Sequence, residues 1–304
     1  MQQSNSKTVK KTTFLLTLSL MILLTACEQK PVSNFEFEIP TGEAPAEIAF
    51  KNTSENADTY YWTFGDGYSS TDENPTHKYN FSGTYNVTLS SYKDGKEAIS
   101  TKSFTLREAA KRIVEIETEF GIMKAELFNF TPLHRDNFIK LAEEGYYDGT
   151  LFHRVMQGFM IQGGDPDSKN ATPDQQLSMG GPGYTIPAEI VQGAYHYKGA
   201  LAAASNGNPE KASAGSQFYI VQGTPLQQQQ LEQYERQKGI KYAPAQVEYY
   251  VNVGGTPILD MEYTVFGQII DGLHLIDKIA AVPTNPQNNN RPLKDIKVTV
   301  RVVK

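Results

Sequence analysis

The sequence has few of the residues on which most enzyme chemistry depends. Cys27 is the single cysteine in 304 residues, so no disulfide can form within the chain. There is no Cys-x-x-Cys pair, no Gly-x-Ser-x-Gly motif and no glycine-rich phosphate loop, and the five histidines show no metal-ligand spacing. We therefore predict that the protein uses no cofactor and has no metal site.

An excess of positive charge is absent as well. The 28 Lys and Arg residues are outnumbered by 34 Asp and Glu residues, which gives a formal net charge of −6. Proteins that bind nucleic acid usually carry a basic surface, so we expect no nucleic-acid partner. A chain of this length typically forms about two domains.

The apolar run at residues 14–24 is too short to span a bilayer comfortably. It follows three lysines and ends in Leu-Thr-Ala-Cys, whose last residue is Cys27. This segment resembles a bacterial lipoprotein signal, so we predict a signal peptide over residues 1–26 and lipidation of Cys27. The alternative is a plain secretory signal or a membrane anchor with an incidental cysteine.

Lipidation at Cys27 would attach the protein to a membrane of the bacterial cell envelope, because several acyl chains bind more firmly than one. Glu28 stands where an Asp commonly retains lipoproteins at the inner membrane. The resemblance therefore favours the outer membrane, although this sorting rule differs among bacteria. Residues 27–33 are polar and are predicted to form a short tether.

Residues 34–107 contain short alternating apolar segments separated by turn residues, which is typical of an antiparallel sandwich. Trp-Thr-Phe-Gly-Asp-Gly at 62–67, Pro-Thr-His-Lys-Tyr at 75–79 and Gly-Thr-Tyr-Asn-Val-Thr-Leu at 83–89 together resemble a PKD domain. That family has an immunoglobulin-like β-sandwich and occurs in surface proteins. The resemblance leaves open a glycan or a protein as the partner of this domain.

Two polar residues of this segment are candidate ligand groups. Asp66 lies in a Gly-Asp-Gly turn, where an Asp side chain commonly bonds nearby amides. A calcium or sugar ligand is the alternative, but no cluster of further carboxylates accompanies Asp66. We therefore interpret Asp66 as a turn residue, His77 as a packed or strand-edge residue, and Trp62 as a buried anchor.

The following segment begins with a predicted hairpin of strands over 113–118 and 122–128. Thr131 and Pro132 then predict the start of a helix. Leu133, Phe138 and Leu141 are placed on its inner face, whereas His134 is placed on the solvated side.

Arg154 lies in a run from Phe152 to Asp165 that reads Phe-His-Arg-Val-Met-Gln-Gly-Phe-Met-Ile-Gln-Gly-Gly-Asp. With Gly-Ser-Gln-Phe-Tyr-Ile at 215–220 and Val-Phe-Gly at 265–267, it resembles the cyclophilin-type peptidyl-prolyl isomerases. The resemblance covers residues 112–304. It implies a closed eight-stranded antiparallel β-barrel capped by helices, so the whole chain is expected to be mainly β.

Isomerisation of an X-Pro bond needs no nucleophile and transfers no proton, so a catalyst must bind the twisted imide better than the planar forms. A fixed cationic donor such as an arginine suits the lone pair that appears on the proline nitrogen. The resemblance gives this role to Arg154, with Gln162 and Gln217 beside it. It implies that the substrate-binding residues are Phe159, Met160, Ser205, Phe218, Tyr219, Leu259 and Tyr263.

Four positions depart from the common pattern of this family. Tyr219 replaces a Phe, Ser205 an Asn, Ile258 a Trp and Tyr263 a His, which leaves substrate preference and cyclosporin binding open. The Tyr219 hydroxyl must find water or a partner. His153 is interpreted as structural, because the reaction moves no proton.

Residues 226–255 are absent from the common pattern and contain the polar, helix-prone run Gln-Gln-Gln-Gln-Leu-Glu-Gln-Tyr. We interpret them as a solvated helical insertion, and a substrate-facing lid is the alternative. The leading hypothesis for the chain is a membrane-anchored isomerase that assists the folding of extracytoplasmic proteins with Pro-containing segments. The competing hypotheses are a non-catalytic chaperone that binds Pro-containing segments and a surface adhesin led by the PKD domain.

Overall fold

A computed structural model describes residues 29–303, which form two β-rich parts. The predicted signal peptide and Cys27 lie outside the described residues. Between residues 29 and 303, no helix combines the length and the apolar character needed to cross a membrane.

The first part has eight strands, which are β1 (Phe35–Phe37), β2 (Glu43–Ala44), β3 (Ala46–Asn52), β4 (Thr59–Thr63), β5 (Ser69–Ser70), β6 (Thr76–Tyr79), β7 (Gly83–Lys93) and β8 (Lys96–Glu108). They form one sheet in the order β1-β3-β6 and a second in the order β2-β8-β7-β4-β5. Alternate residues of both sheets are buried against each other in one aromatic-rich core. The sandwich predicted from alternation is confirmed.

Trp62 lies at the centre of this core and is fully buried, as predicted. Its ring packs edge-on against Phe35, with ring centroids 5.1 Å apart, and at a tilt against Phe50, with centroids 5.7 Å apart. The indole Nε1 donates to the carbonyl of Asp72 at 2.9 Å. Because the polar tip of the ring is satisfied, the whole side chain can be buried at little cost.

The second part contains thirteen strands, which are β9 (Arg112–Thr118), β10 (Gly121–Leu127), β11 (Thr150–Leu151), β12 (Arg154–Met156), β13 (Met160–Gly163), β14 (Thr185–Ile186), β15 (Ala200–Ala203), β16 (Ser213–Ala214), β17 (Phe218–Val221), β18 (Val265–Asp271), β19 (Thr284–Asn285), β20 (Arg291–Pro292) and β21 (Lys297–Val303). Its four α-helices are α1 (Pro132–Glu143), α2 (Gln228–Lys238), α3 (Pro244–Asn252) and α4 (Leu273–Ala280). The predicted hairpin appears as β9 and β10.

Nine of these strands form one curled sheet in the order β11-β21-β9-β10-β18-β15-β17-β13-β12. The two end strands, β11 and β12, are consecutive in the chain and only Phe152 and His153 separate them. The curl therefore brings the ends of the sheet together, but they share no ladder of hydrogen bonds. The mainly β fold is confirmed, whereas a closed ring of eight strands is not what the pairing gives.

Alternation along the sheet separates two sets of side chains. On β17, Phe218 and Ile220 enter the main core, together with residues of α1 and α4. Tyr219 and Val221 face the other way and join Met160 in a smaller cluster. The smaller cluster supports the candidate site.

Helix α1 buries different residues from those that were predicted. His134 is 2% exposed, whereas Leu133 is 51% exposed. The His134 Nδ1 lies 2.7 Å from a Glu189 carboxylate oxygen, and its Nε2 lies 2.9 Å from the Ser213 hydroxyl. Placing His134 on the solvated side was wrong, because both partners come from distant segments that a helical periodicity does not report.

The insertion at 226–255 contributes helices α2 and α3. Leu231 and Tyr250 of these helices, with Tyr242 between them, are buried against Tyr195 of the neighbouring loop. The insertion is thus packed onto the second part through a tyrosine-rich cluster, and its polar residues cover the outside.

The two parts touch directly. Three residues separate the end of β8 at Glu108 from the start of β9 at Arg112. The rings of Phe81 and Phe130 lie 4.9 Å apart, and the Tyr68 hydroxyl donates to Gln192 Oε1 at 3.3 Å. The connection between the parts is therefore short and is accompanied by an aromatic contact.

Candidate active site

A cavity of about 590 Å³ opens on the outer face of β13 and β17. A volume of this size suits a small ligand or a short peptide segment. Nine of the predicted site residues line it, namely Arg154, Phe159, Met160, Gln162, Ser205, Gln217, Tyr219, Leu259 and Tyr263. One wall is polar and carries the guanidinium, and the facing wall is aromatic and aliphatic.

Arg154 lies on β12, directly opposite Gln162 of β13 in the strand register. Its Nη1 donates to Gln162 Oε1 at 3.4 Å. Its Nε is buried and has no hydrogen-bond partner among residues 29–303, and no ion pair of Arg154 is found there either. The guanidinium therefore brings a positive charge to the cavity, whose described lining contains no Asp or Glu.

Two side-chain amides continue from Arg154 along the polar wall. Gln162 Nε2 donates to Gln217 Oε1 at 3.1 Å, and Gln217 Nε2 donates to the Gly180 carbonyl at 2.8 Å. Each hydrogen bond determines whether the oxygen or the nitrogen of the next side-chain amide faces its neighbour. The chain of bonds holds the amides, and through Gln162 the guanidinium, in one orientation.

Asp165 supports the loop that supplies the Gly180 carbonyl, and sequence reasoning gave it no role. It is fully buried, and its carboxylate accepts from the Ser178 amide at 2.6 Å and from the Asp167 amide at 2.9 Å. A Cβ on Gly180 would stand 2.1 Å from Asp165 Oδ1, so only glycine fits there. The glycine pair in the sequence was the available signal.

The apolar wall consists of Phe159, Met160, Tyr219 and Leu259, as the motif implied. Behind it stand the alanines of β15, which are fully or almost fully buried. Small side chains there let the large ones approach the sheet closely. A flat, neutral ring fits this wall better than a charged group, because a charge there would be poorly solvated.

The hydroxyl of Tyr219 has a protein partner. It lies 2.8 Å from His196 Nε2, and His196 Nδ1 lies 2.9 Å from Asp260 Oδ1. Burial raises the pKa of Tyr219 well above its ordinary value, so the hydroxyl keeps its proton. The sequence required a partner for this hydroxyl but did not identify His196 or Asp260.

Two predicted substrate-binding residues have other contacts. Phe218 is 1% exposed and belongs to the main core, so its assignment to the substrate site was wrong. The alternation of β17 turns Phe218 inward when Tyr219 faces the cavity. Ser205 does line the cavity, but its hydroxyl donates to the Ala212 carbonyl at 2.8 Å and is therefore already engaged.

Tyr263 lines the cavity, with its ring edge-on to Tyr219 at 6.1 Å. Ile258, at the other departure from the common pattern, is 56% exposed and is not part of the lining. The rim on this side is therefore open and apolar.

His153 lies next to Arg154 in the chain but does not line the cavity. It is 2% exposed, and neither ring nitrogen has a hydrogen-bond partner in the described part of the chain. Burial, opposed by the charge of Asp165, lowers the pKa of His153 to about 4. The ring is therefore neutral near pH 7, in agreement with a structural role.

In the first part, Asp66 and His77 bind each other. His77 Nε2 lies 2.7 Å from Asp66 Oδ2, and Asp66 Oδ1 accepts from the Tyr68 amide at 3.2 Å. The His77 ring stacks on Phe64 at 4.2 Å. Over residues 29–303, no group of three or more His, Cys, Asp or Glu side chains is placed to hold a metal ion.

Comparisons with known proteins divide the chain in the same way. Residues 113–302 match the family model described as cyclophilin type peptidyl-prolyl cis-trans isomerase/CLD, and residues 29–107 match the PKD domain model. A peptidyl-prolyl cis-trans isomerase of Staphylococcus aureus (strain USA300) is 40% identical over 187 residues, which are 60% of this chain and 87% of that protein.

Two further similarities concern the second part. A bifunctional phosphatase/peptidyl-prolyl cis-trans isomerase of Streptococcus pyogenes serotype M6 is 39% identical over 191 residues, which cover 60% of this chain and 37% of that protein. The crystal structure of a cyclophilin-type isomerase of Cryptosporidium parvum is similar with 26% identity and a TM-score of 0.45, and the match covers 64% of this chain and 99% of that one.

Proposed function

The chain belongs to the cyclophilin-type peptidyl-prolyl cis-trans isomerase family, and we propose that it works as a membrane-anchored isomerase on Pro-containing segments of extracytoplasmic proteins. The observation that carries the site assignment is the unpaired guanidinium of Arg154 facing an apolar wall across one cavity.

Arg154 is the proposed catalytic residue. Rotation about an X-Pro bond is slow because resonance resists twisting, with a barrier of about 20 kcal/mol. As the bond twists, the proline nitrogen loses its conjugation and gains a lone pair. A guanidinium is always charged and presents fixed donors, so Arg154 stabilises the twisted form more than either planar isomer.

The facing wall of Phe159, Met160, Tyr219 and Leu259 is proposed to hold the proline ring. Its contacts are apolar and change little as the imide twists, so they bind all states of the substrate about equally. Such binding lowers KM more than it raises kcat. Tyr263 and the open rim beside it contact the residue next to the proline.

Gln162 and Gln217 are proposed to orient both the guanidinium and the substrate backbone. Gln162 Oε1 accepts from Arg154, and its Nε2 is directed to Gln217. The reaction needs no proton transfer in this arrangement. His153 therefore has no chemical step to perform.

The test is an isomerisation assay of the wild-type protein on a blocked Ala-Ala-Pro-Phe peptide, with peptide affinity measured in parallel. We expect cis/trans exchange well above the uncatalysed rate and saturation with peptide. Binding without faster exchange would instead support a non-catalytic chaperone of Pro-containing segments.

Anchoring through Cys27 is proposed from the sequence alone. The Leu-Thr-Ala-Cys motif supports a lipid on Cys27 at the outer membrane of a bacterial cell envelope, and the PKD domain would then act as a spacer or as a docking module for a glycan or a protein. Cys27→Ser is expected to release the protein from membranes or to block its maturation. Unchanged membrane fractionation, with no lipid mass on the wild-type N-terminus, would contradict this proposal.

A further inference from the structure

Asp260 is a buried carboxylate with four hydrogen-bond donors around it. Its Oδ1 accepts from the His196 amide at 2.7 Å and lies 2.9 Å from His196 Nδ1. Its Oδ2 accepts from the hydroxyls of Tyr242 at 2.8 Å and Tyr250 at 2.6 Å. Both Asp260 and His196 are fully buried. A polar group this deeply buried is tolerated only when its hydrogen-bonding positions are filled in this way.

The same contacts fix the orientation of the imidazole. His196 Nδ1 lies against Asp260 Oδ1, and Nε2 lies 2.8 Å from the Tyr219 hydroxyl, so both ring nitrogens are engaged and the ring plane is fixed. The Tyr219 ring, which forms part of the cavity wall, is held by its polar end.

This network begins in the insertion and ends at the cavity. Tyr250 lies on α3, and Tyr242 lies between α2 and α3. At the other end, Tyr219 and Leu259 line the cavity, and Leu259 directly precedes Asp260 in the chain. The insertion thus bonds Asp260, which directly follows Leu259 in the chain, and is linked to Tyr219 through Asp260 and His196.

We infer that the insertion at 226–255 positions the proline-binding wall, with Tyr242 and Tyr250 setting Tyr219 through Asp260 and His196. This inference rests on the proposed function, because that proposal assigns the proline ring of the substrate to the wall. The insertion is then neither a solvated appendage nor a lid over the cavity. His196, Asp260 and the two tyrosines are positioning residues, since none of them lines the cavity.

Positioning matters because a binding wall must hold its geometry to within a fraction of an ångström. Without its hydrogen bond, the Tyr219 ring is fixed by apolar contacts alone. Those contacts change little with small tilts of the ring. A free hydroxyl would also seek another partner and draw the ring away from the wall.

A double-mutant cycle on peptide affinity tests the inference. In the full-length protein, Tyr250→Phe removes one hydroxyl and leaves Tyr242 bonded to Asp260, so we expect the fold to be retained. We expect the Kd for a blocked Ala-Ala-Pro-Phe peptide to rise about three- to tenfold, with KM following and kcat within about twofold. In a Tyr219→Phe background, the same change should alter Kd by less than about twofold, because the link is already broken.

Tyr249→Phe is the matched control. Tyr249 lies on the same helix, and its hydroxyl donates to the Lys198 carbonyl at 3.3 Å, outside the network. It should lower thermal stability at most slightly and leave Kd unchanged in both backgrounds. Tyr242→Phe is the second test variant, should Tyr250→Phe fold poorly.

The outcomes separate this inference from the proposed function. An equal effect of Tyr250→Phe in both backgrounds, or no effect on Kd in either, would show that the network only stabilises the fold and overturns the inference. Binding by the wild type without isomerisation overturns the proposed function alone, since the cycle is measured on Kd. A wild type that binds no peptide overturns both.

Discussion

The PKD domain and the isomerase domain are both built from β-sheets around aromatic cores, but they differ in what they leave unpaired. In the PKD domain, Asp66 and His77 bind each other and the Trp62 indole is capped by a carbonyl. In the isomerase domain, Arg154 faces a cavity, and within residues 29–303 its side chain makes one hydrogen bond, at 3.4 Å to Gln162, and no ion pair. The two domains therefore differ in whether a charged side chain without an ion pair lies beside an apolar wall, and we expect the reaction to take place where it does.

The aromatic residues show the same difference. Phe35, Phe50 and Trp62 pack on one another and are buried almost completely. Phe159 and Tyr263 instead remain partly exposed along an open cavity. The first set stabilises a fold, whereas the second leaves apolar contact area open along the cavity.

The largest effect is expected from Trp62→Ala. Removing a fully buried indole should lower the free energy of unfolding of the PKD domain by about 3–5 kcal/mol. Isomerase activity should stay within about twofold, because the cavity lies wholly in the other domain. Unfolding of the PKD domain is measured by limited proteolysis and circular dichroism, with Trp62→Phe as the milder control. A parallel loss of isomerase activity would show that the isomerase domain depends on the folded PKD domain.

The next prediction contrasts His153, which is buried, with His274, which is exposed. Burial lowers the folded-state pKa of His153 from 6.5 to about 4. As the pH falls, the unfolded chain takes up a proton on His153 before the folded chain does. The free energy of unfolding of the isomerase domain should therefore decrease from about pH 6.5 downward and level off below about pH 4. The total decrease should be about 3 kcal/mol.

Denaturant titrations between pH 7 and 4 measure this dependence. His153→Leu should flatten it, whereas the control His274→Gln should leave it unchanged. A wild-type pH dependence that persists in His153→Leu would assign the proton uptake to another group.

A smaller effect is expected at the loop that orients Gln217. Gly180→Ala places a Cβ 2.1 Å from Asp165 Oδ1 and must displace the carbonyl that Gln217 bonds. We expect kcat/KM to fall about tenfold, since roughly 1–2 kcal/mol of positioning is lost. Gly181→Ala is the matched control, because no atom lies within 4 Å of its Cβ position. Equal activity of the two variants would show that this loop does not orient Gln217 for catalysis.

The smallest effect is expected when the domains are separated. A fragment that starts near residue 110 should fold and keep kcat/KM within about twofold, because the contact of Phe81 with Phe130 lies outside the cavity lining. Peptide kinetics and thermal unfolding of the fragment check this. If the fragment cannot fold without residues 34–107, the division into two independent domains is wrong.

Local patterns in the sequence predicted much of the fold. Alternation gave the β9–β10 hairpin, and the Gly-Asp-Gly turn after Trp62 marked the end of a strand. These features depend on neighbours in the chain, so a short window of sequence contains them. The open sheet order could not be read in this way, because it depends on which distant strands pair.

The candidate site shows the same contrast between contacts within a short segment, which were predicted, and contacts between distant segments, which were not. The motif placed Arg154 and Gln162 together because they are partners in one hairpin of strands. His134 was misplaced because its partners, Glu189 and Ser213, are 55 and 79 residues away. The link from His196 to Asp260 spans 64 residues, so sequence reasoning could require a partner for Tyr219 but could not find it.

The polar wall is proposed to stabilise the twisted imide and the apolar wall to bind every state of the substrate, and side-by-side kinetics of Arg154→Ala and Phe159→Ala distinguish these two roles. Arg154→Ala should lower kcat and kcat/KM at least tenfold, about 1.4 kcal/mol or more, with peptide binding nearly kept. Arg154→Lys should not restore activity, because an ammonium lacks the planar donor fork. Phe159→Ala should instead raise Kd and KM and lower kcat/KM in proportion, with kcat nearly kept, because its apolar contacts bind every state of the substrate. Wild-type rates for Arg154→Ala would contradict the account, because the guanidinium would then serve only the fold.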